Sequence, residues 1–249
     1  MTTTLRPAEP LQREADGTLS RHYKVCVNSR PVGAIHLATH PLSGPSVAQI
    51  RELGIDEPDR RRGRGTVAAL AAEEVARGWG CRRIEVSVPA AAEPALRLAT
   101  ALGYVSRERI MEKQLGGTPP ELPVGSRGRP MTEAEARAKS GQDHATWRSA
   151  GLAPEEMVCS VLEDEGMPVG TLRLGARGGT AYVLDAETDE RYRRRGHGRT
   201  LLLLAEAQAI AAGRTGIRID VPVGNAPAER LCESLAYETI TYVLYKDLL

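Results

Sequence analysis

Two short clusters of arginine and glycine carry the most chemistry in this chain. The first is Arg60-Arg61-Arg62-Gly63-Arg64-Gly65-Thr66 and the second is Arg193-Arg194-Arg195-Gly196-His197-Gly198-Arg199. Each follows a β-rich run and opens an apolar helical one. The first N–H groups of a helix lack backbone partners, and the helix dipole adds about half a positive charge there. Glycines let the backbone close around phosphate oxygens, and arginines add fixed charge. A Walker loop needs Gly-x-x-x-x-Gly-Lys-Ser/Thr, and neither cluster holds a lysine. A Rossmann fingerprint needs a third glycine or alanine, where the second cluster has Leu201. What remains is Arg-x-x-Gly-x-Gly. A solvated arginine patch, or one for nonspecific nucleic-acid contact, does not require glycines at the same places in both clusters.

Proton chemistry is offered by Asp185 and Glu187, on the run that leads into the second cluster. The period of two along a strand turns Ala186 and Thr188 toward the core and the two acids toward the other face. Either carboxylate can accept a proton from an amine, directly or through water. The bland alternatives are two solvated carboxylates, or acids that attract a cationic substrate. His22, His36, His40 and His144 have no partners identifiable from sequence. Trp147 suits either a pocket wall or a core.

The clusters belong to an internal duplication. Gly63 and Gly196 set an offset of 133 residues (196 − 63), and that register continues without a gap. Glu73 then matches Glu206, Ile84 matches Ile217, Pro94 matches Pro227, Tyr104 matches Tyr237 and Lys113 matches Lys246. Glu52 matches Asp185. Each copy is too long for a solenoid repeat.

The elements that position the clusters follow from periodicity. In the first copy, residues 5–7 suit a short strand and residues 22–28 and 32–39 a hairpin. Residues 47–55 form the strand before the loop and 66–79 the helix after it. A strand at 83–88, a helix at 93–102 and a strand at 104–115 complete the copy. The stretch 116–130 is rich in glycine and proline and reads as a linker, although 122–124 also suits a first strand of the second copy. Thr132 with Glu135 reads as a capping box that starts a helix running to about residue 147, and a short helix suits 154–157. A hairpin at 158–163 and 169–174 follows, then a strand at 217–221, a helix at 226–235 and a strand at 240–245. Only about fifteen residues separate the first two strands of the first copy, so a helical pair there is not expected.

Bulk properties narrow the class. The 249 residues suit two domains, and a net charge of +1 argues against a nucleic-acid surface spread over the chain. The chain contains no phenylalanine, so Leu, Val, Ile and Ala must fill the interior. Cys26, Cys81, Cys159 and Cys232 are dispersed and form no Cys-x-x-Cys pair, which argues against a zinc or redox site. No apolar run approaches the roughly 20 residues of a membrane span, and MTTTLRPAEP lacks a signal-peptide core. The expected compartment is the cytoplasm.

The order strand, Arg-x-x-Gly-x-Gly loop, helix, strand, helix, strand resembles the GNAT superfamily of acyl-CoA-dependent N-acetyltransferases, here in tandem form. The resemblance implies an α/β fold of two domains, 1–117 and 118–249, each with a mixed, mostly antiparallel central sheet flanked by helices. It implies acetyl-CoA as acyl donor and no metal. Loop N–H groups of residues 61–66 and 194–199 would hold the pyrophosphate, with Arg60 and Arg193 beside them. The backbones of Leu53, Gly54 and Ile55, and of Ala186, Glu187 and Thr188, would pair with the pantetheine arm. The family pattern Asn-x-x-Ala-x-x-Leu-Tyr is met in the second copy by Asn225, Ala228 and Leu231, with Cys232 in the tyrosine place. The first copy has Ala92 and Ala99 at the asparagine and tyrosine places. Cys232 is therefore a candidate acid for the CoA thiolate, alongside water, Tyr237 or Tyr242. Glu187 and Asp185 are the candidate bases, and the second copy is the expected catalytic half. The implied acceptor is a primary amine of a small molecule. A protein N-acetyltransferase and a non-catalytic acyl-CoA-binding module are the alternatives. No nucleic-acid or membrane partner is expected, and the chain is expected to be a monomer or homodimer.

Overall fold

A computed structural model describes residues 3–15, 17–39, 46–139 and 157–248. The chain divides into two compact units. One comprises residues 1–109 with 240–249, and the other residues 110–239. We call them the N-terminal and C-terminal units.

In the N-terminal unit the strands are β1 (Thr3–Pro7), β2 (Gln12–Arg13), β3 (Leu19–Val27), β4 (Arg30–Thr39), β5 (Val47–Ile55) and β6 (Arg83–Pro89). They neighbour one another in the order β1-β3-β4-β5-β6, with β2 as a short flap on β3. All pairs are antiparallel except β5 with β6. That parallel pair needs a crossover, which is helix α1 (Arg64–Gly78). Its sequence RGTVAALAAEEVARG is alanine-rich and helix-favouring. Trp79 caps it, and Gly80 at φ 79° lets the chain leave in the left-handed conformation. Helix α2 (Glu93–Ala101) follows β6. The core is aliphatic: Ile35, Leu37, Ala48, Ala72 and Ile84 are fully buried.

Strand β7 (Val105–Gln114) leads into the C-terminal unit, which continues with β8 (Ser126–Pro130), α3 (Glu133–Lys139), β9 (Val158–Asp164), β10 (Met167–Arg177), β11 (Thr180–Thr188), α4 (His197–Ala211), β12 (Gly216–Pro222) and α5 (Ala226–Ser234). The strand order there is β7-β12-β11-β10-β9-β8. The pair β11 with β12 is parallel, joined by α4, and leucines 201, 202 and 204 of that helix are buried in the core.

The units do not coincide with the expected halves 1–117 and 118–249. The last strand, β13 (Glu238–Asp247), pairs with β6 and places Leu244 and Leu248 in the N-terminal core. Strand β7 neighbours β12 and places Met111 in the C-terminal core. Each unit is therefore closed by the final strand of the other repeat. The two strands carry equivalent residues, so either satisfies the same core.

The stretch expected to be a linker contains a strand. β8 lies at 126–130, not 122–124, because Ser126 to Pro130 pair with Asp164 to Ser160. The capping box at the start of α3 is present. The Thr132 backbone N–H donates to Glu135 at 2.8 Å, and the Glu135 N–H donates to Thr132 Oγ1 at 3.3 Å. The remainder of the expected helix to residue 147, with His144 and Trp147, lies outside the described residues, as do His40 and most of the helix expected at 154–157. In the N-terminal unit the connection from β1 to β3 holds only β2 among the described residues. Among the described residues no helix is long and apolar enough to cross a membrane.

Candidate active site

The two arginine–glycine loops fold alike. After β5 the chain makes one 3-10 turn, Glu57–Asp59, and after β11 it makes another, Glu190–Tyr192. Arg61 and Gly63 then take positive φ values of 57° and 71°, and Arg194 and Gly196 take 65° and 89°. Gly63 and Gly196 are the N-caps of α1 and α4, and neither helix has a side-chain cap. The first-turn N–H groups thus keep their capacity for an anion, and left-handed residues within the loop add to the concave array of donors.

The arginines divide by role. Arg61 and Arg62, and Arg193, Arg194 and Arg195, are exposed. Arg60 Nε donates to the Ile55 carbonyl at 2.7 Å, and Arg199 donates to Ser234 Oγ at 2.9 Å. Arg64 is buried and ion-paired with buried Asp59, which also accepts two hydrogen bonds from Arg30 at 3.0 and 2.8 Å. The equivalent positions in the C-terminal unit hold Tyr192 and His197, whose rings meet edge to face at 6.2 Å. Arg64 and His197 are thus buried at the first helical position after each loop.

Between the parallel strands a cleft opens. β5 pairs with β6 only from Val47 to Ile50, so residues 51–55 run free of it. β11 pairs with β12 only from Thr180 to Val183, so 184–188 run free likewise. Divergence begins at a β-bulge in each unit, beside His36 and Leu37 in one and Arg173 and Leu174 in the other. In the N-terminal unit the cleft encloses about 820 Å³ and is lined by Glu52, Leu53, Gly54, Gly63, Thr66 and Leu98, among others. The neighbouring strand is glycine where it crosses the free segment. A Cβ on Gly33 would stand 2.2 Å from the Gly54 carbonyl oxygen, and one on Gly170 would stand 2.7 Å from that of Glu187.

Register fixes the faces. Ala186 stands opposite Leu172 and Thr188 opposite Gly170, on the α4 side of the sheet, while Asp185 stands opposite Arg173 and Glu187 opposite Thr171 on the other side. Asp185 is not isolated: its carboxylate lies 3.6 Å from Arg173 Nε.

The expected acid fares differently. Cys232 is 1% exposed within the core of its unit. Burial, with the nearby Glu233 charge, pushes its thiol up to about 11. It is packed into the core of its unit. Tyr237 is also buried, and burial raises its phenol well above the usual range. Tyr242 pairs with Val88 in the N-terminal unit, not in the half for which it was considered. Asn225 accepts a hydrogen bond from the Ala228 N–H at 3.3 Å and is the N-cap of α5. At the equivalent Ala92 the same backbone bend has no side-chain cap.

Sequence reasoning missed His22 and His36. They stack on one another, with ring centroids 3.9 Å apart. Fourteen residues separate them (36 − 22), and only the hairpin register brings them together. The 133-residue offset does not reach this hairpin, where equivalent glycines 33 and 170 are 137 apart (170 − 33).

Comparison with known proteins agrees with this architecture. The profile of the acetyltransferase (GNAT) family matches twice, at residues 3–104 and 128–237. No curated protein matches the chain. Among solved structures, a GCN5-related N-acetyltransferase from Sphaerobacter thermophilus superposes with a TM-score of 0.65 at 17% identity, over 91% of this chain and 80% of that one. A tandem GNAT protein from the clavulanic acid biosynthesis pathway gives 0.57 at 16%, over 93% and 84%. A GCN5-related N-acetyltransferase from Kribbella flavida gives 0.58 at 19%, over 86% of each chain. With both repeats matched across most of its length, and each built on a splayed parallel pair and a glycine-capped helix, this chain belongs to the GNAT acetyltransferase family as a tandem member.

Proposed function

We propose that this protein transfers an acetyl group from acetyl-CoA to a primary amine of a small molecule. The observation that carries the reading is the splayed β5/β6 pair, whose strand edge beyond Ile50 leads through one 3-10 turn and the arginine–glycine loop to a helix N-terminus with no side-chain cap. The donor fits these parts. A pyrophosphate suits the first-turn N–H groups of α1 or α4 together with the exposed loop arginines. The two amides of a pantetheine arm suit the strand edge of residues 51–55 or 184–188, which lies beyond the pairing with β6 or β12. A volume of about 820 Å³ accommodates a cofactor arm of that kind. What the protein adds is proximity of thioester and amine, and removal of an ammonium proton so that nitrogen has a free lone pair.

The test is calorimetric titration with acetyl-CoA, followed by thiol release with a panel of amines: ethanolamine, tyramine, glucosamine and spermidine. The expected result is saturable binding and acetylation of at least one amine. Gly63→Asp and Gly196→Asp each place a negative charge at one helix N-terminus and assign the sites to their units. Absence of acetyl-CoA binding overturns the reading. Binding without turnover on amines or peptides identifies an acyl-CoA-binding module instead.

A further inference from the structure

A cluster of titratable groups lies on the face of β3, β4 and β5 turned away from α1. His22 stands opposite His36, and His36 stands opposite Glu52. The row crosses three strands, about 10 Å from end to end. Glu9, on the short connection after β1, closes the far end. Its carboxylate oxygen lies 2.6 Å from His22 Nδ1 and also accepts the His22 backbone N–H at 3.3 Å. The stacked rings are tilted by 18°. Buried Ser20 places its hydroxyl 2.9 Å from His36 Nε2. At the near end, Glu52 lines the cleft described above.

These groups are arranged to accept a proton. With His22 Nδ1–H donating to the Glu9 carboxylate, Nε2 is left as the acceptor. Burial lowers His36 from its ordinary 6.5; His22 and Arg51 lower it further, while Glu9 and Glu52 oppose. Neutral imidazole is thus its state at neutral pH. Rings 3.9 Å apart carry one positive charge more easily than two. The equivalent positions of the C-terminal unit hold Cys159, Arg173 and Asp185, at offsets of 137 (159 − 22 and 173 − 36) and 133 (185 − 52). There a guanidinium faces the carboxylate where the N-terminal unit has an imidazole. No three His, Cys, Asp or Glu residues among those described are grouped as metal ligands.

We propose that the row Glu52–His36–His22–Glu9 is the acceptor site of this chain, binding a primary ammonium and taking its proton, so that acetyl transfer runs in the N-terminal unit. This rests on the acetyltransferase reading and reverses the sequence expectation that the second copy catalyses. The ammonium is held at the Glu52 carboxylate and gives up one proton to the row, where an imidazole holds it with Glu9 as counter-ion. The freed lone pair forms the C–N bond to the acyl carbon of acetyl-CoA. The C–S bond breaks with its electron pair on sulfur. The second amine proton ends on the CoA thiol, and the first leaves the row to water.

The full chain is assayed by thiol release from acetyl-CoA with the four amines named above, and acetyl-CoA affinity is measured calorimetrically for every variant. Glu52→Gln and His36→Gln are expected to lower kcat/KM at least tenfold, and Glu9→Gln severalfold, with acetyl-CoA affinity within twofold. His36→Gln is also expected to displace the low-pH fall of kcat/KM through the imidazole range, which a merely structural role does not move. His36→Asn and Glu52→Asp replace any variant that loses acetyl-CoA binding. A larger loss in Glu187→Gln or Asp185→Asn than in Glu52→Gln overturns the proposal and leaves the acetyltransferase reading intact. Acetyl-CoA binding with no amine acetylated overturns the ammonium site. Absence of acetyl-CoA binding overturns the acetyltransferase reading itself.

Discussion

Lys246 Nζ donates to both carboxylate oxygens of Glu73, at 2.9 and 2.7 Å, across 173 residues of sequence. Lys113 does the same to Glu206, at 2.9 and 2.8 Å. Each lysine sits on the last strand of one repeat and each glutamate on the loop-following helix of the other. Both carboxylates are buried, and each ammonium also lies over a buried tyrosine ring, Tyr104 or Tyr237. Removing one partner of such a pair leaves a charge without its counter-ion in the core. Lys246→Met is expected to cost about 3 kcal/mol in urea unfolding. The double variant with Glu73→Gln recovers much of that loss, because the buried charge is then gone. A single-variant loss below half that size refutes the pairing.

The exchange also predicts which unit suffers when the C-terminus is cut. Deleting residues 240–249 removes the antiparallel partner of β6, together with Leu244 and Leu248. Amide hydrogen exchange is expected to lose protection over residues 83–89, while 216–222 keep theirs beside β7. Loss confined to 216–222 returns β13 to its own repeat.

Sequence carried much of this fold but not the exchange, and the reason is physical. Lys113 and Lys246, and Leu115 and Leu248, are equivalent in the duplication. A strand from either repeat offers the same ammonium to the same glutamate and the same leucine to the same core. No local preference distinguishes the two closures. The loops were legible because a left-handed N-cap demands glycine at 63 and 196 and leaves a mark in sequence. The faces of Asp185 and Glu187 and the guanidinium beside Asp185 depend on a bulge in β11, where the extra residue Leu184 turns the strand over after core-facing Ala181 and Val183. His22 and His36 were opaque for a related reason. A histidine acquires chemistry from its neighbours, and these neighbours come from hairpin register and from a connection that delivers Glu9.

Glycine at position 33 is required by the cleft and not by its own backbone angles. The Cβ of Gly33→Ala would stand 2.2 Å from the Gly54 carbonyl oxygen, on the strand segment that runs free of β6. That oxygen has to move toward the cleft or β4 has to retreat. A cost of about 1–3 kcal/mol in stability is expected, with at least a fivefold loss of acetyl-CoA affinity at the N-terminal site. Gly54→Ala meets no atom within 4 Å and is expected to leave stability within about 1 kcal/mol. Equal stability losses in the two variants contradict the steric account.

Cys232 is the sharpest contrast between position in sequence and position in space. It stands where the family pattern has an acid, yet its sulfur is enclosed by the core. A thiol raised to about 11 stands well above the ordinary cysteine value of about 8.5 and is a correspondingly poor proton donor. Cys232→Ala is therefore expected to keep kcat within twofold and to leave the alkaline limb of the rate profile in place. It costs about 1–2 kcal/mol of stability through lost packing, and Cys232→Ser costs more because its hydroxyl enters an apolar site without a partner. A tenfold fall in kcat for Cys232→Ala, with stability retained, restores the thiol to the reaction. Kinetics and urea unfolding on the same preparations separate the two outcomes.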